Sequence, residues 1–219
     1  MAEIVPAIIA KNFQELQDKI RLVEPYIKTV QIDVMDGIFV SNLTWSNPSE
    51  LEKLETNLEI EVHLMVENPH RVLNEWLSSK VKRIILHWEV IKEIPNSQFP
   101  IPNLIKQIHN SGKEFGVALN LETPISVLDN FINDIDMALL MSVKPGQGGQ
   151  KFEESVIPKI IALRQNYPSV KIEVDGGVNL QNIYRLIEAG VDFLVMGSAI
   201  FGKDDIGGAI EELKSLATK

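Results

Sequence analysis

Two carboxylates and one imidazole stand at the ends of short apolar runs. Asp33 lies in Gln31-Ile32-Asp33, His63 in Val62-His63-Leu64-Met65, and Asp175 in Glu173-Val174-Asp175. A lone Asp after a strand is commonly a helix cap, and a lone His there is commonly a hydrogen-bonded structural residue. Three such groups at ends that a fold could bring together point to chemistry. Two carboxylates buried side by side are unfavourable unless a cation or a shared proton compensates them. Similar run ends carry Asp36, His87, Glu89, Asn120, Ser142 and Lys144. A second set consists of glycines: Gly146, Gly148 and Gly149 in Lys144-Pro145-Gly146-Gln147-Gly148-Gly149-Gln150, the pair Gly176-Gly177, and Gly197-Ser198. Glycine lets backbone N–H groups approach and surround an anion. One such pair reads as a tight turn; three in successive loops read as a phosphate cradle.

Positioning these groups requires a frame, and the apolar pattern supplies one. Eight short Val/Ile/Leu-rich runs read as strands: Glu3–Ile9, Thr29–Val34, Glu59–Met65, Arg83–His87, Glu114–Leu119, Met137–Val143, Lys171–Val174 and Asp192–Met196. Most lack polar alternation, as expected of parallel strands covered on both faces. Segments with helical spacing lie between them, for example Phe13, Leu16, Ile20 and Val23; Ile183, Leu186 and Ile187; and Ile206, Ile210 and Leu213. Asn12 and Asn179 are expected N-caps, and Gly112 and Gly190 expected helix stops. Pro48, Pro69 and Pro124 are expected in first turns. Eight strand–helix units predict an α/β fold, a single (β/α)8 TIM barrel over residues 1–219, with phosphate-binding loops after strands six to eight. A doubly wound open sheet is the rival, weakened by the absence of GxGxxG after the first strand. The stretch Ile94–Pro102, with three prolines, reads as a loop before the fourth helix.

Composition excludes several alternatives. The chain has 219 residues, 45% of them hydrophobic, which suits one globular domain and not a disordered chain. No apolar run is long enough to span a membrane. With no cysteine, there is neither a disulfide nor a thiolate metal site. Lys and Arg total 21 against 30 for Asp and Glu, a net charge of −9, which argues against a nucleic-acid partner. No signal peptide is evident at the start, and a cytoplasmic setting is the default expectation.

The motifs, taken together, resemble the ribulose-phosphate 3-epimerase family over nearly the whole length. They are Asp33-Val34-Met35-Asp36-Gly37, Val62-His63-Leu64-Met65, Leu140-Met141-Ser142-Val143, Gly148-Gly149-Gln150, Glu173-Val174-Asp175-Gly176-Gly177 and Gly197-Ser198-Ala199-Ile200-Phe201. The resemblance implies interconversion of D-ribulose 5-phosphate and D-xylulose 5-phosphate with a divalent metal ion, in the family zinc, iron, manganese or cobalt; for this chain the expected ion is Mn2+, Mg2+, Zn2+ or Fe2+. It implies Asp33 and Asp175 as acid/base carboxylates that also bind metal, and His63 as a metal ligand and substrate neighbour. Met35, Met65 and Met141 would wall the reacting carbons. Gly146, Gly177, Gly197 and Ser198 would contact phosphate and substrate, with Gly148, Gly149 and Gly176 in the same glycine loops. A homo-oligomer is an expectation of the same kind.

The chain departs from the family pattern at its presumed centre. Where the family has His-x-Asp, this chain has Gln31-Ile32-Asp33, so an amide stands in place of a ligating imidazole. Ala7, in Pro6-Ala7-Ile8-Ile9, replaces a substrate-contacting serine. Ile38, Ser41, Lys144 and Gln147 replace other family residues on the rim. An amide oxygen is a harder donor than imidazole nitrogen, so Gln31 as a fourth ligand predicts a shift toward Mn2+ or Mg2+. Two further readings follow from these changes: an epimerase of another phosphosugar, such as a 6-phosphohexulose, or a catalytically silent phosphosugar-binding protein.

Overall fold

A computed structural model describes residues 2–93 and 100–218. Eight strands form a closed parallel barrel in chain order: β1 (Glu3–Ile8), β2 (Thr29–Met35), β3 (Glu59–Met65), β4 (Arg83–His87), β5 (Glu114–Leu119), β6 (Met137–Met141), β7 (Lys171–Asp175) and β8 (Phe193–Met196). β8 pairs back onto β1 with Glu3 opposite Phe193. The open-sheet alternative is thereby excluded. Strand ends differ from the sequence reading by one or two residues, so Met35 and Asp175 are the last residues of their strands.

Alternation along each strand divides the residues between two environments. Ile4, Ile8, Val30, Ile32, Ile60, Val62 and Leu64 face outward and join Leu16, Ile20, Leu73 and Leu163 of the surrounding helices in the main core. Their neighbours face the barrel axis. There, Ile85, Ala118, Met137, Leu139 and Met141 form one apolar cluster, and Val5, Ala7 and Val195 another. Other inward positions, on β2, β3, β4 and β7, carry Gln31, Asp33, Glu61, His63, Arg83, His87 and Glu173, all buried.

The α-helices among the described residues are α1 (Phe13–Val23), α2 (Pro69–Leu77), α3 (Trp88–Ile91), α4 (Ile101–Asn110), α5 (Val156–Asn166), α6 (Ile183–Ala189), α7 (Ser198–Phe201) and α8 (Ile206–Ala217). One helix per strand is not what forms. After β2 the chain makes a 3-10 helix, Pro48–Lys53, and after β5 two short ones, Ile125–Leu128 and Ile132–Asp134. The cause is visible in Pro48, Leu51 and Leu54, all buried. A spacing of three residues suits the three-residue turn rather than the α-helix.

Asn12 caps α1 as expected, its side chain accepting from the Glu15 N–H at 2.9 Å. Asn179 does not cap α6. Its Oδ1 accepts from the Gln181 N–H at 2.8 Å, in a turn that precedes the helix start. The helix therefore begins at Ile183. Gly190 ends α6 with a φ of 103°, and Gly112 follows α4 at 78°. Pro48 and Pro69 open their helices, whereas Pro124 sits one residue ahead of its 3-10 turn. Of the loop read at Ile94–Pro102, residues 94–99 lie outside the described ones, and α4 already begins at Ile101. No helix among the described residues is long and apolar enough to cross a membrane.

Candidate active site

Asp33, His63 and Asp175 meet at the C-terminal mouth of the barrel. β2 and β3 pair with Asp33 opposite His63, and Asp175 closes β7. Each of the three offers a ligand atom within 4.8 Å of the others'. Gln31, two residues before Asp33 and so on the same side of β2, reaches into this group from below. Its Nε2 donates to Asp33 Oδ1 at 2.8 Å and to Asp175 Oδ2 at 2.9 Å. One amide thus ties together two carboxylates from strands separated by β1 and β8. The His63 Nδ1 lies 3.5 Å from Asp33 Oδ1 and 3.4 Å from Asp175 Oδ2. Those separations are long for hydrogen bonds but short for charge attraction.

Burial and charge set the protonation states. Burial pushes the Asp33 carboxyl up, against the pull of His63, and the neighbouring Asp175 charge adds to the rise. Burial alone would lower the His63 imidazole, but Asp175 and Asp33 outweigh it and hold the pKa at about 9. Without a metal, His63 is therefore an imidazolium that neutralises part of the carboxylate charge. Behind it stands His87, whose Nε2 is 2.8 Å from His63 Nε2. Burial pushes His87 down to about 4. The next group, Glu89, is held at about 2: burial raises it, but hydrogen bonds from His87, Thr123 and the Asn120 N–H prevail.

These residues fit a divalent cation. The donor set is one imidazole nitrogen and two carboxylates, and His63 Nδ1 is buried without a hydrogen-bond partner among the described residues. Gln31 Oε1 is also buried and unpartnered. As oriented, Gln31 turns its NH2 toward the carboxylates, so ligation through Oε1 requires the amide to turn over.

A cleft opens above this group. Asp33, Met35, Met65, Met141 and Asp175 line it together with Gly146, Gly148, Gly149, Gly176, Gly177, Gly197 and Ser198. Every residue singled out from the sequence for the site borders this cleft except His63 and Gln31, which lie fully buried beneath it. Ala7 and Lys144 line it as well. The glycines fall into two kinds. Gly177 has a φ of 63°, and a Cβ there would approach the Phe152 backbone nitrogen to 2.6 Å, so the turn itself demands glycine. Gly197 has a φ of −92°, and a Cβ there would meet only the Ala7 carbonyl oxygen, at 3.8 Å. No contact among the described residues requires glycine at 197.

Some strand-end residues prove structural. The Asp36 carboxylate accepts from the Ile38 and Phe39 N–H groups, each at 2.9 Å, and from the Glu67 N–H at 2.7 Å, stapling the β2 loop. Ile38, on that loop, is 72% exposed. The Ser142 hydroxyl donates to the Asp175 carbonyl at 2.9 Å and to that of Gly176, tying β6 to the end of β7. Sequence reading noted His87 and Glu89 at the end of β4 but gave them no role. Their signal was the two-residue step His87-x-Glu89 directly beside the His63 strand.

Comparison with known proteins agrees with this geometry. Residues 3–201 match the model of the ribulose-phosphate 3 epimerase family. The chain is 37% identical to ribulose-phosphate 3-epimerase of Bacillus subtilis, across 98% of this chain and 99% of that one. It is 36% identical to the chloroplastic ribulose-5-phosphate-3-epimerase of Arabidopsis thaliana, across 97% of this chain and 76% of the relative. Among solved structures, 3-hexulose-6-phosphate synthase from Salmonella typhimurium superposes with a TM-score of 0.73 at 15% identity, over 99% of this chain and 98% of that one. That likeness speaks for the fold alone, whereas the sequence matches go further: the chain belongs to the ribulose-phosphate 3-epimerase family.

Proposed function

We propose that the protein interconverts D-ribulose 5-phosphate and D-xylulose 5-phosphate, with Asp33 and Asp175 as the two proton-transfer groups. The observation that carries this reading is the shared amide. Gln31 engages Asp33 Oδ1 and Asp175 Oδ2, which leaves Asp33 Oδ2 and Asp175 Oδ1 free of hydrogen bonds among the described residues. Both residues line one cleft together with the glycine loops. A phosphoketose whose phosphate lies among those glycines would place its carbon chain against the carboxylates.

Inversion at the carbon beside a ketone needs one group to remove a proton and another to return one on the opposite face. One carboxylate acts as base and the other, protonated, as acid; in the reverse direction they exchange roles. The raised pKa of Asp33 suits a carboxyl that holds a proton between steps. Met35, Met65 and Met141 exclude water and strengthen the charge interactions. Asp33, His63 and Asp175 would hold a divalent ion, with Gln31 Oε1 as a fourth donor once the amide turns over. When bound, the ion supplies Lewis-acid stabilisation of the negative charge developing on the substrate oxygens.

The test is the elementary step. Chelated protein is incubated with ribulose 5-phosphate in D2O, with Mn2+, Mg2+ or Zn2+ added separately, and NMR follows deuterium at C3 and the appearance of xylulose 5-phosphate. Metal-dependent exchange with product is expected, strongest with Mn2+ or Mg2+ if Gln31 is a ligand. No exchange with any ion by folded protein defeats the reading. Turnover of a 6-phosphohexulose in preference would move the substrate to that class.

A further inference from the structure

The site rests on a line of hydrogen bonds that runs away from the substrate. His63 Nε2 is 2.8 Å from His87 Nε2, and the two ring planes lie within 19° of one another. His87 Nδ1 is 3.2 Å from Glu89 Oε2. The other oxygen, Glu89 Oε1, accepts from the Asn120 N–H at 3.0 Å and from the Thr123 hydroxyl. Lys159 Nζ donates to the Asn120 carbonyl at 2.6 Å, which brings a cation to the outer end of the line. Both imidazoles are completely buried, so water does not substitute for these partners.

A hydrogen bond between two imidazole nitrogens needs a proton on one of them only. We infer that Glu89 and His87 are positioning residues that keep this proton on His63 Nε2, so that His63 presents Nδ1, not an N–H, to a cation between Asp33 and Asp175. The direction is fixed at the outer end. The Asn120 N–H is an obligate donor, so Glu89 Oε1 is an acceptor, and the Lys159 cation favours the ionised carboxylate. An ionised Glu89 Oε2 then faces His87 as an acceptor too, which requires the His87 proton on Nδ1. The bare His87 Nε2 must accept, and the donor is His63 Nε2. In the opposite arrangement His87 Nδ1 and Glu89 Oε2 would oppose lone pair to lone pair. Outer partners of this kind orient metal-binding imidazoles in general. The inference deepens the metal-assisted epimerase reading and rests on it for its purpose, though not for the direction of the bonds.

Glu89→Gln tests it with almost no change of shape. The Asn120 N–H still requires an acceptor, so the new amide must place its oxygen there and turn its NH2 toward His87. That reverses the two bonds between residue 89 and His63 and moves the shared proton to His87 Nε2. Two readouts apply to folded protein labelled with 15N-histidine, the first taken metal-free above about pH 9, where the His63 imidazole is neutral, the second by adding metal at neutral pH. The one-bond N–H coupling of the proton shared by the two rings is expected on His63 Nε2 in the parent and on His87 Nε2 in the variant. Titration with Mn2+, followed by the electron paramagnetic resonance of free ion, is expected to show affinity about 10- to 100-fold weaker in the variant. A shared proton on His87 in the parent overturns the inference, as does a variant that keeps both the proton position and the Mn2+ affinity of the parent. A parent that takes up no Mn2+ yet carries the proton on His63 supports the bond direction and defeats the metal reading instead.

Discussion

Two layers of buried charge cross the barrel interior, one above the other. The upper holds Gln31, Asp33, His63 and Asp175; the lower holds Glu61, Arg83 and Glu173. They share strands: His63 stands two residues beyond Glu61 on β3, and Asp175 two beyond Glu173 on β7. Each pairs carboxylates with a cationic side chain. In the lower layer, Arg83 Nη1 donates to Glu61 Oε2 at 2.5 Å, and its Nε and Nη2 donate to Glu114 Oε2 at 2.9 and 2.6 Å. Its guanidinium lies 5.2 Å from the centre of the Phe193 ring. Yet both Glu173 oxygens and Glu61 Oε1 are buried with no hydrogen-bond partner among the described residues. Burial lifts Glu61 to about 7, against the attraction of Arg83, and lifts Glu173 well above the carboxylate range. The difference between the layers is access. Glu61 and Glu173 are 1% and 0% exposed, whereas Asp33 and Asp175 border the cleft. Buried charge alone does not make a site; a sealed carboxyl can only be neutralised or paired, while one that meets a ligand can exchange its proton.

The contrast breaks most sharply at Asp175. Asp175→Asn keeps the shape and removes the proton-transfer group, so kcat is expected to fall by about 10²- to 10⁴-fold with little change in the unfolding midpoint. A fall in stability to match would place Asp175 with the lower layer instead. Arg83→Met should do the reverse. It leaves Glu61 and Glu173 without their cation, and removing one partner of a buried pair costs about 3–5 kcal/mol. Urea unfolding at neutral pH reads that loss, and an unchanged midpoint would mean that Arg83 does not compensate the lower layer.

How far these layers were legible in the sequence differs in an instructive way. The strand ends were readable because parallel strands in a barrel direct their C-terminal ends to one mouth, where Asp33, His63 and Asp175 stood out against apolar neighbours. The lower layer carried the same signal in the two-residue steps Glu61/His63 and Glu173/Asp175, since alternate residues face the same side. It went unread because a polar residue in mid-strand has no loop or motif beside it. The 3-10 turns after β2 and β5 were hidden for another reason: their apolar spacing is too short to separate from a weak helix. Gln31 was readable as a substitution, but not as a bridge between two carboxylates, which only the closure of the barrel creates. Gln31→His sharpens that point. An imidazole there favours zinc over harder ions, so the zinc-to-manganese affinity ratio is expected to rise by about tenfold, or about 1.4 kcal/mol. Unchanged ratios by competitive titration would show that residue 31 only bridges the acids and never ligates.

The smallest expected effect tests the sealed layer by its titration. A carboxyl whose folded pKa is raised stays protonated in the native state, while its unfolded counterpart ionises near its ordinary value. Above that value the unfolded chain binds fewer protons than the folded one, so stability falls as pH rises, by up to about 1.4 kcal/mol per pH unit for each such group. Glu173, raised well above the usual range by burial and by Glu61, contributes this slope from about pH 4.5 upward. Glu61 adds its own share until about 7. His63, held at about 9, stabilises the fold with a benefit fully present below its ordinary value of about 6.5 and lost only above it. Urea unfolding between about pH 5 and 6.5 therefore avoids His63, while His87, held at about 4, adds an opposite slope that is the same in parent and variant. Glu173→Gln replaces a neutral carboxyl with a neutral amide of the same shape, so the slope contributed by residue 173 should vanish while kcat stays near that of the parent. Asp33 slopes in the same direction but is present in both proteins, so the difference between parent and variant reads Glu173 alone. Parallel stability curves would mean that Glu173 is ionised in the folded protein and that Arg83 compensates both glutamates.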